Sequence, residues 1–359
     1  MSPSLLLSQY LENSGGIAIV DGGLATELER HGADLNDPLW SAKCLLTSPH
    51  LVRQVHLDYL EAGADIIISA SYQATIQGFR AKGLSQEESE ALLRKSVDIA
   101  CEARDLYYKN CGKASAEGLE ARHDSKILKS RPILVAASVG SYGAYLADGS
   151  EYSGNYGDTV TLDYLKDFHR RRVQVLAESG ADLIAFETIP NKVEAQAYAE
   201  LLNEENIKIP AWFTFSSKDG ENVVSGDSLL ECASIAEASK KVVAVGINCT
   251  PPRFIEGLIL LIKKVATKPI IIYPNSGETY DPIVKNWVSI PSFGCKLKNR
   301  ETDLSRNKQN TGVQDEDFVS YVKNWQKAGA SLFGGCCRTT PKTINGIYRT
   351  LSEHSVSLR

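Results

Sequence analysis

The chain has 359 residues, of which 43% are hydrophobic and 23% charged, and carries a formal net charge of -5. That length allows a large buried core, and mild acidity without a charged tail argues against nucleic acid or an anionic membrane surface as a partner. Residues 1–16 lack the basic start and long apolar stretch of a secretory signal, and no segment reads as a membrane span, so the eight cysteines are expected to be reduced thiols of a cytoplasmic protein.

Continuously apolar runs predict strands at residues 17–20, 65–69, 133–137, 183–186, 212–215, 242–247, 269–273 and 331–333. Such runs suit a parallel sheet buried on both faces. Helical patterns lie between them, at residues 49–61, 86–108, 162–179, 192–203, 228–239 and 315–327. A short repeat marks three of the helix-to-strand connections: Ala62-Gly63-Ala64-Asp65, Ser179-Gly180-Ala181-Asp182 and Ala328-Gly329-Ala330-Ser331. Its glycine is expected to end a helix in the left-handed conformation and turn the chain into a strand. Eight strands alternating with helices predict an α/β fold, a (β/α)8 TIM barrel in a single domain, residues 1–359 with the core at about 15–350. An open doubly wound sheet is the alternative. Residues 111–131 and 292–317 are polar and aperiodic and are expected to be loop insertions, the second of them on the active face.

Barrel active sites form at the C-terminal ends of the strands. The polar residues collect there: Asp21-Gly22-Gly23, Ser69 to Gln73, Ser138, Glu187-Thr188, Ser216-Ser217, Asn248-Cys249, Asn275-Ser276-Gly277 and Gly335-Cys336-Cys337. Cys249, Cys336 and Cys337 suggest a three-thiolate site, and three thiolates on Zn²⁺ leave one tetrahedral position open, as catalysis requires. Neighbours on a strand point to opposite faces, so Cys336 and Cys337 share a metal only where the strand has ended, which Gly334-Gly335 permits. Unconnected buried thiols are the plainer alternative. Asp21 and Glu187 could bind an ammonium, act as acid or base, or cap a helix; Gly22 and Gly23 could let a ligand approach the backbone. No histidine stands at a strand end, which argues against a Ser-His or Cys-His hydrolase. The run from His169 to Arg172 reads as the wet face of a helix. Cys44, Cys101 and Cys232 read as core residues of helices.

In order and spacing, Asp21-Gly22-Gly23, Phe186-Glu187-Thr188, Gly246-Ile247-Asn248-Cys249, Tyr273 to Glu278 and Gly334 to Cys337 resemble the zinc-dependent homocysteine S-methyltransferases over residues 17–347, most of all the plant-type enzymes that use S-methylmethionine. The resemblance implies a barrel with Zn²⁺ on Cys249, Cys336 and Cys337. It implies a substrate site containing Asp21, Glu187, Gly22, Gly23, Thr188 and Asn248, with Trp40 at the methyl donor. The implied substrates are homocysteine and S-methylmethionine, with S-adenosylmethionine as another donor and selenocysteine as another acceptor. A cobalamin-independent monomer is expected. A Schiff-base aldolase is disfavoured because no lysine stands at a strand end, and a structural zinc would need a fourth ligand such as Cys295.

Overall fold

The computed structural model describes residues 3–116, 132–277, 279–281, 286–288 and 315–356. Eight parallel strands form one sheet: β1 (Ala18–Ile19), β2 (Ile66–Ile68), β3 (Leu134–Val139), β4 (Leu183–Ile189), β5 (Ala211–Phe215), β6 (Val242–Asn248), β7 (Ile270–Tyr273) and, after a two-stranded antiparallel pair β8 (Thr279–Asp281) and β9 (Asn286–Val288), β10 (Ala330–Phe333). Their order is β1-β10-β7-β6-β5-β4-β3-β2. A parallel bridge between Val20 and Ile66, with the Asp65 N–H on the Ile19 carbonyl at 2.7 Å, joins the last strand to the first. The sheet is therefore a barrel and not an open doubly wound sheet.

The predicted connection is built as expected. Gly63, Gly180 and Gly329 have φ of 107°, 88° and 118°, a region that costs other residues strain. The aspartates of the repeat have their own task at the start of each strand. Asp65 Oδ2 accepts the Ile19 N–H at 2.9 Å, and Asp182 Oδ2 accepts the Val135 N–H at 2.8 Å. Each carboxylate takes an amide from the neighbouring strand. The barrel is filled by side chains such as Val20, Ile66, Leu134, Leu183, Trp212, Ile271 and Leu332, and Leu7, Tyr10 and Leu11 of the first helix, Pro3–Asn13, join the same cluster. A larger apolar layer packs the outer helices against the strands. Within it Cys44 and Cys232 are buried, and Cys101 is half-buried against it.

Two expectations are corrected. The helix beginning at Gln86 runs to Ala116, so residues 111–116 are not loop. Cys111, one turn beyond Tyr107, continues the apolar stripe and packs on the core. Residues 117–131 and most of 292–317 lie outside the described residues. The wet-face reading of 169–172 holds for Arg170, which pairs with Glu204 and Glu205, and for Arg171, which pairs with Glu90. It fails for His169 and Arg172, which are fully buried. Helical spacing puts them on the same stripe as Leu165, Phe168 and Leu176 of the helix Leu162–Ala177. No helix among the described residues is long and apolar enough to cross a membrane.

His56, on the helix Pro49–Glu61, is fully buried with both ring nitrogens unpartnered. Burial lowers its pKa from 6.5 to about 4. The unfolded chain therefore takes up this proton first as pH falls. The neutral ring's contribution is complete above about pH 6.5 and is lost progressively towards pH 4. His56→Leu, which fills similar space without a titrating group, is expected to lose about 2–3 kcal/mol less stability than wild type between pH 7 and 4.5. Urea unfolding at both pH values measures this; equal losses would show that His56 does not contribute to acid lability.

Candidate active site

A cavity of about 860 Å³ opens at the C-terminal ends of the strands. It is lined by Asp21, Gly22 and Gly23 after β1, by Trp40, by Glu187 and Thr188 of β4, by Asn248 and Cys249 at the end of β6, and by Cys336 and Cys337 after β10. The residues expected to hold zinc and substrate thus border one space, while Ser138, Ser216, Ser217, Asn275, Ser276 and Gly277 are not part of its lining.

The backbone explains how the three cysteines meet. Strand β10 ends at Phe333, before the thiol pair. The Gly335 N–H then donates to the Asp21 carbonyl at 3.0 Å and the Cys336 N–H to the Pro274 carbonyl at 2.8 Å, so the chain turns across the tops of β1 and β7. On the other side, Gly246 lies so close to β7 that a Cβ would sit 1.7 Å from the Ile271 carbonyl oxygen. Cys249 follows with φ of 47°, its N–H on the Tyr273 carbonyl at 3.1 Å. Cys337 Sγ lies 3.7 Å from Cys249 Sγ and 3.9 Å from Cys336 Sγ, and all three sulfurs fall within 4.8 Å of one another. Sulfurs bound tetrahedrally at about 2.3 Å from zinc are about 3.8 Å apart, so the trio fits three corners of such a site. All three cysteines are free thiols. The S–H groups of Cys249 and Cys336 both point to Cys337 and hold its pKa well below the ordinary thiol value. Among the described residues no other Cys, His, Asp or Glu joins this cluster, and Cys295 lies outside them.

The carboxylates stand beside the sulfurs. Asp21 does not cap the helix Leu24–Arg30, whose first turn has no side-chain cap; its Oδ2 accepts the Ile68 N–H at 2.8 Å. Burial raises its pKa well above the usual range, and the charges of Glu187 and Cys336 add to the rise. Glu187 accepts a hydrogen bond from the Ser138 hydroxyl, and burial pushes its pKa up to about 7. Two buried acids close enough to repel one another make a good receptor for a cation, which would favour the charged form of both. Gly22 and Gly23 have a plainer reason to be glycine than ligand approach: Cβ atoms there would meet the Tyr59 ring at 2.7 Å and the Cys336 carbonyl oxygen at 2.6 Å.

Thr188 has φ of 57°, an outlier for a β-branched residue, and the register between β4 and β5 shifts across it. Asn248 holds it there. Its Oδ1 accepts the Thr188 N–H at 2.8 Å and its Nδ2 donates to Thr188 Oγ1 at 2.7 Å. Trp40, Ala147, Thr188, Cys249 and Arg338 all have positive φ and all line the cavity; the only other described non-glycine residue with positive φ is Asn206, which does not line it. Strain gathered in one place marks a functional constraint.

Several contributors were missed in the sequence. Arg172 reaches from its helix to donate to the carbonyls of Gly140, Ser71 and Tyr72 at 3.0, 2.8 and 2.7 Å, tying together the loops after β2 and β3. Tyr72, within the Ser69 to Gln73 strand end already marked in the sequence, lies edge-on to Trp40, ring centres 6.3 Å apart. Glu151 and Tyr152, in the loop after β3, also line the cavity. The sequence signal was present in the polar stretch Ala147 to Tyr152, which follows a strand end on the active face.

The family model described as Homocysteine S-methyltransferase matches residues 18–351. The chain belongs to the homocysteine S-methyltransferase family. Homocysteine S-methyltransferase 2 of Arabidopsis thaliana is 69% identical over 345 residues, 96% of each chain. Selenocysteine methyltransferase of Astragalus bisulcatus is 67% identical over 350 residues, 98% of this chain and 97% of that one. Among solved structures, the metallated form of the homocysteine methyltransferase MmuM from Escherichia coli superposes with a TM-score of 0.75 at 38% identity, over 96% of this chain and 99% of that one.

Replacing Cys249, Cys336 or Cys337 by alanine leaves two of the three sulfurs. Each variant is expected to bind zinc more than about 100-fold more weakly than wild type. Competition with a chromophoric chelator gives the affinity; wild-type binding in any one variant would exclude that sulfur from the site.

Proposed function

We propose that this methyltransferase moves a methyl group from S-methylmethionine to the sulfur of L-homocysteine, forming methionine, at a zinc site made by Cys249, Cys336 and Cys337. The observation that carries the reading is the meeting of three thiols within 4.8 Å of one another, two of the separations close to a tetrahedral edge, in a cavity lined by buried acids. The metallated form of the similar MmuM structure supports a bound metal in this chain.

A free thiol of this kind has a pKa of about 8.5 and is mostly protonated at neutral pH. When bound, zinc supplies the Lewis acidity that makes the acceptor's sulfur a thiolate at neutral pH and fixes its position. Asp21 and Glu187 hold the acceptor's ammonium, which the two buried carboxylates need as much as it needs them. Asn248 keeps Thr188 in its strained conformation and so fixes the end of β4 that carries Glu187. Trp40 and Tyr72 form an aromatic wall suited to a sulfonium cation. The acceptor's sulfur attacks the methyl carbon in line; one C–S bond forms, the donor's C–S bond breaks with its electron pair, and a neutral thioether leaves. The thiol proton goes to solvent. No group has to protonate the leaving sulfur, which accounts for a site without a catalytic histidine.

Wild-type protein is expected to form methionine from homocysteine and S-methylmethionine, to lose that activity on zinc chelation and to regain it on adding zinc. Activity that survives complete zinc removal would rule out this mechanism. Asp21→Asn keeps the Ile68 contact but removes a charge; it is expected to raise the KM for homocysteine about tenfold while zinc content stays at the wild-type level. An unchanged KM would take Asp21 out of acceptor binding. The 67% identity to a selenocysteine methyltransferase supports selenocysteine as a second acceptor, to be assayed with the same donor.

A further inference from the structure

The proposed mechanism leaves one carboxylate in the cavity without a task. Glu151 lines it from the loop after β3. Its Oε2 is buried and has no hydrogen-bond partner among the described residues. Among the described residues no cation balances it: besides burial, the influences on its charge are its own backbone N–H and the like charge of Asp148. Burial holds its carboxyl up at about 7.

The segment that carries Glu151 is pinned on both sides. Before it, Gly143 packs so tightly that a Cβ would sit 2.5 Å from the Glu151 backbone nitrogen. The Gly143 N–H donates to the Tyr156 hydroxyl at 3.1 Å, and that hydroxyl donates to Glu194 Oε2 at 2.7 Å. Glu194 Oε1 takes the Tyr142 N–H at 2.6 Å and faces His169 Nε2 at 2.8 Å. Beyond it, the Gly154 carbonyl accepts the Asn191 side-chain amide at 2.9 Å. An unpaired buried carboxylate oxygen costs free energy, and a segment anchored in this way does not relieve that cost by swinging into solvent. The side chain also lines the cavity, which makes a cationic group bound there the counter-charge it can take.

Position narrows the choice. Tyr152, the next residue, feels both the charge of Glu151 and the sulfurs of Cys249 and Cys337. Tyr72, on the aromatic wall, feels Glu151 first among its charged neighbours. Glu151 thus stands near the place where the donor must lie for its methyl group to face the acceptor sulfur. A sulfonium amino acid brings two cations there. The sulfonium has to face the acceptor; its α-ammonium, which takes no part in the chemistry, needs a counter-charge of its own.

We infer that Glu151 binds the α-ammonium of the methyl donor and so selects sulfonium amino acids over sulfonium compounds that lack an amino group. The inference rests on the donor class proposed above. A contact to an unreactive group contributes equally to ground and transition states, so its loss should appear in KM and leave kcat in place.

The test uses zinc-loaded full-length protein and two donors, S-methylmethionine and its desamino analogue 4-(dimethylsulfonio)butanoate. Glu151→Gln is expected to raise the KM for S-methylmethionine by about tenfold or more, as loss of a charged hydrogen bond does. The KM for homocysteine, the zinc content and the kcat/KM for the desamino donor should match wild type. An unchanged KM for S-methylmethionine would overturn the inference. Equal losses with both donors would also overturn it, by placing the contact at the sulfonium or making the effect structural. If wild type uses neither donor, the donor reading itself fails and the inference falls with it; an active wild type with an indifferent variant sinks the inference alone.

Discussion

Three sulfurs held within 4.8 Å of one another, two of the separations close to a tetrahedral edge, are the constraint on which the rest of the site depends. Cys249 and the pair Cys336-Cys337 are separated by almost a quarter of the chain, and barrel closure brings them together. Strand β7 lies between β6 and β10, and its carbonyls receive the amides that steer both thiol-bearing turns: Tyr273 for Cys249, Ile272 for Gly334. Gly246 allows β6 to press against β7, where any side chain would collide with the Ile271 carbonyl. The thiols are thus set by main-chain geometry, and the carboxylates of Asp21 and Glu187 are buried against them by the same closure.

That placement is costly. Two acids are buried with raised pKa values, five non-glycine residues around the cavity have positive φ, and Glu151 has an oxygen without a partner among the described residues. Burial and strain of this kind are normally selected against, and here they coincide at one cavity. Under the proposed function the thiols meet a metal and the acids an ammonium, and either cation offsets the cost of burying those groups. The surrounding scaffold is correspondingly rigid, with Arg172 and Glu194 bonded to the loops after β2 and β3.

Much of this architecture was legible in the sequence because it rests on periodic or local signals. Continuous apolar runs marked the barrel strands, and the Gly-Ala-Asp repeat marked turns whose glycines do adopt positive φ. The cysteines, Asp21 and Glu187 stood out because they fall at strand ends, where a barrel gathers its chemistry. What escaped depends on long-range packing. His169 and Arg172 sit in a basic run that looks solvated, and only the helix's inward stripe shows that two of its four residues are buried. Their partners, the carbonyls of Ser71, Tyr72 and Gly140 and the carboxylate of Glu194, are distant in sequence. Glu151 escaped because a glutamate in a polar loop is ordinary until its neighbours are known.

The central claim is that the three thiols form a metal site with one position kept for the acceptor's sulfur. X-ray absorption at the zinc edge, on the loaded protein with and without homocysteine, counts the sulfur ligands directly. Three sulfurs rising to four on adding homocysteine is the expected result. Four sulfurs before homocysteine is added, unchanged afterwards, would mean a closed structural site and would contradict the account.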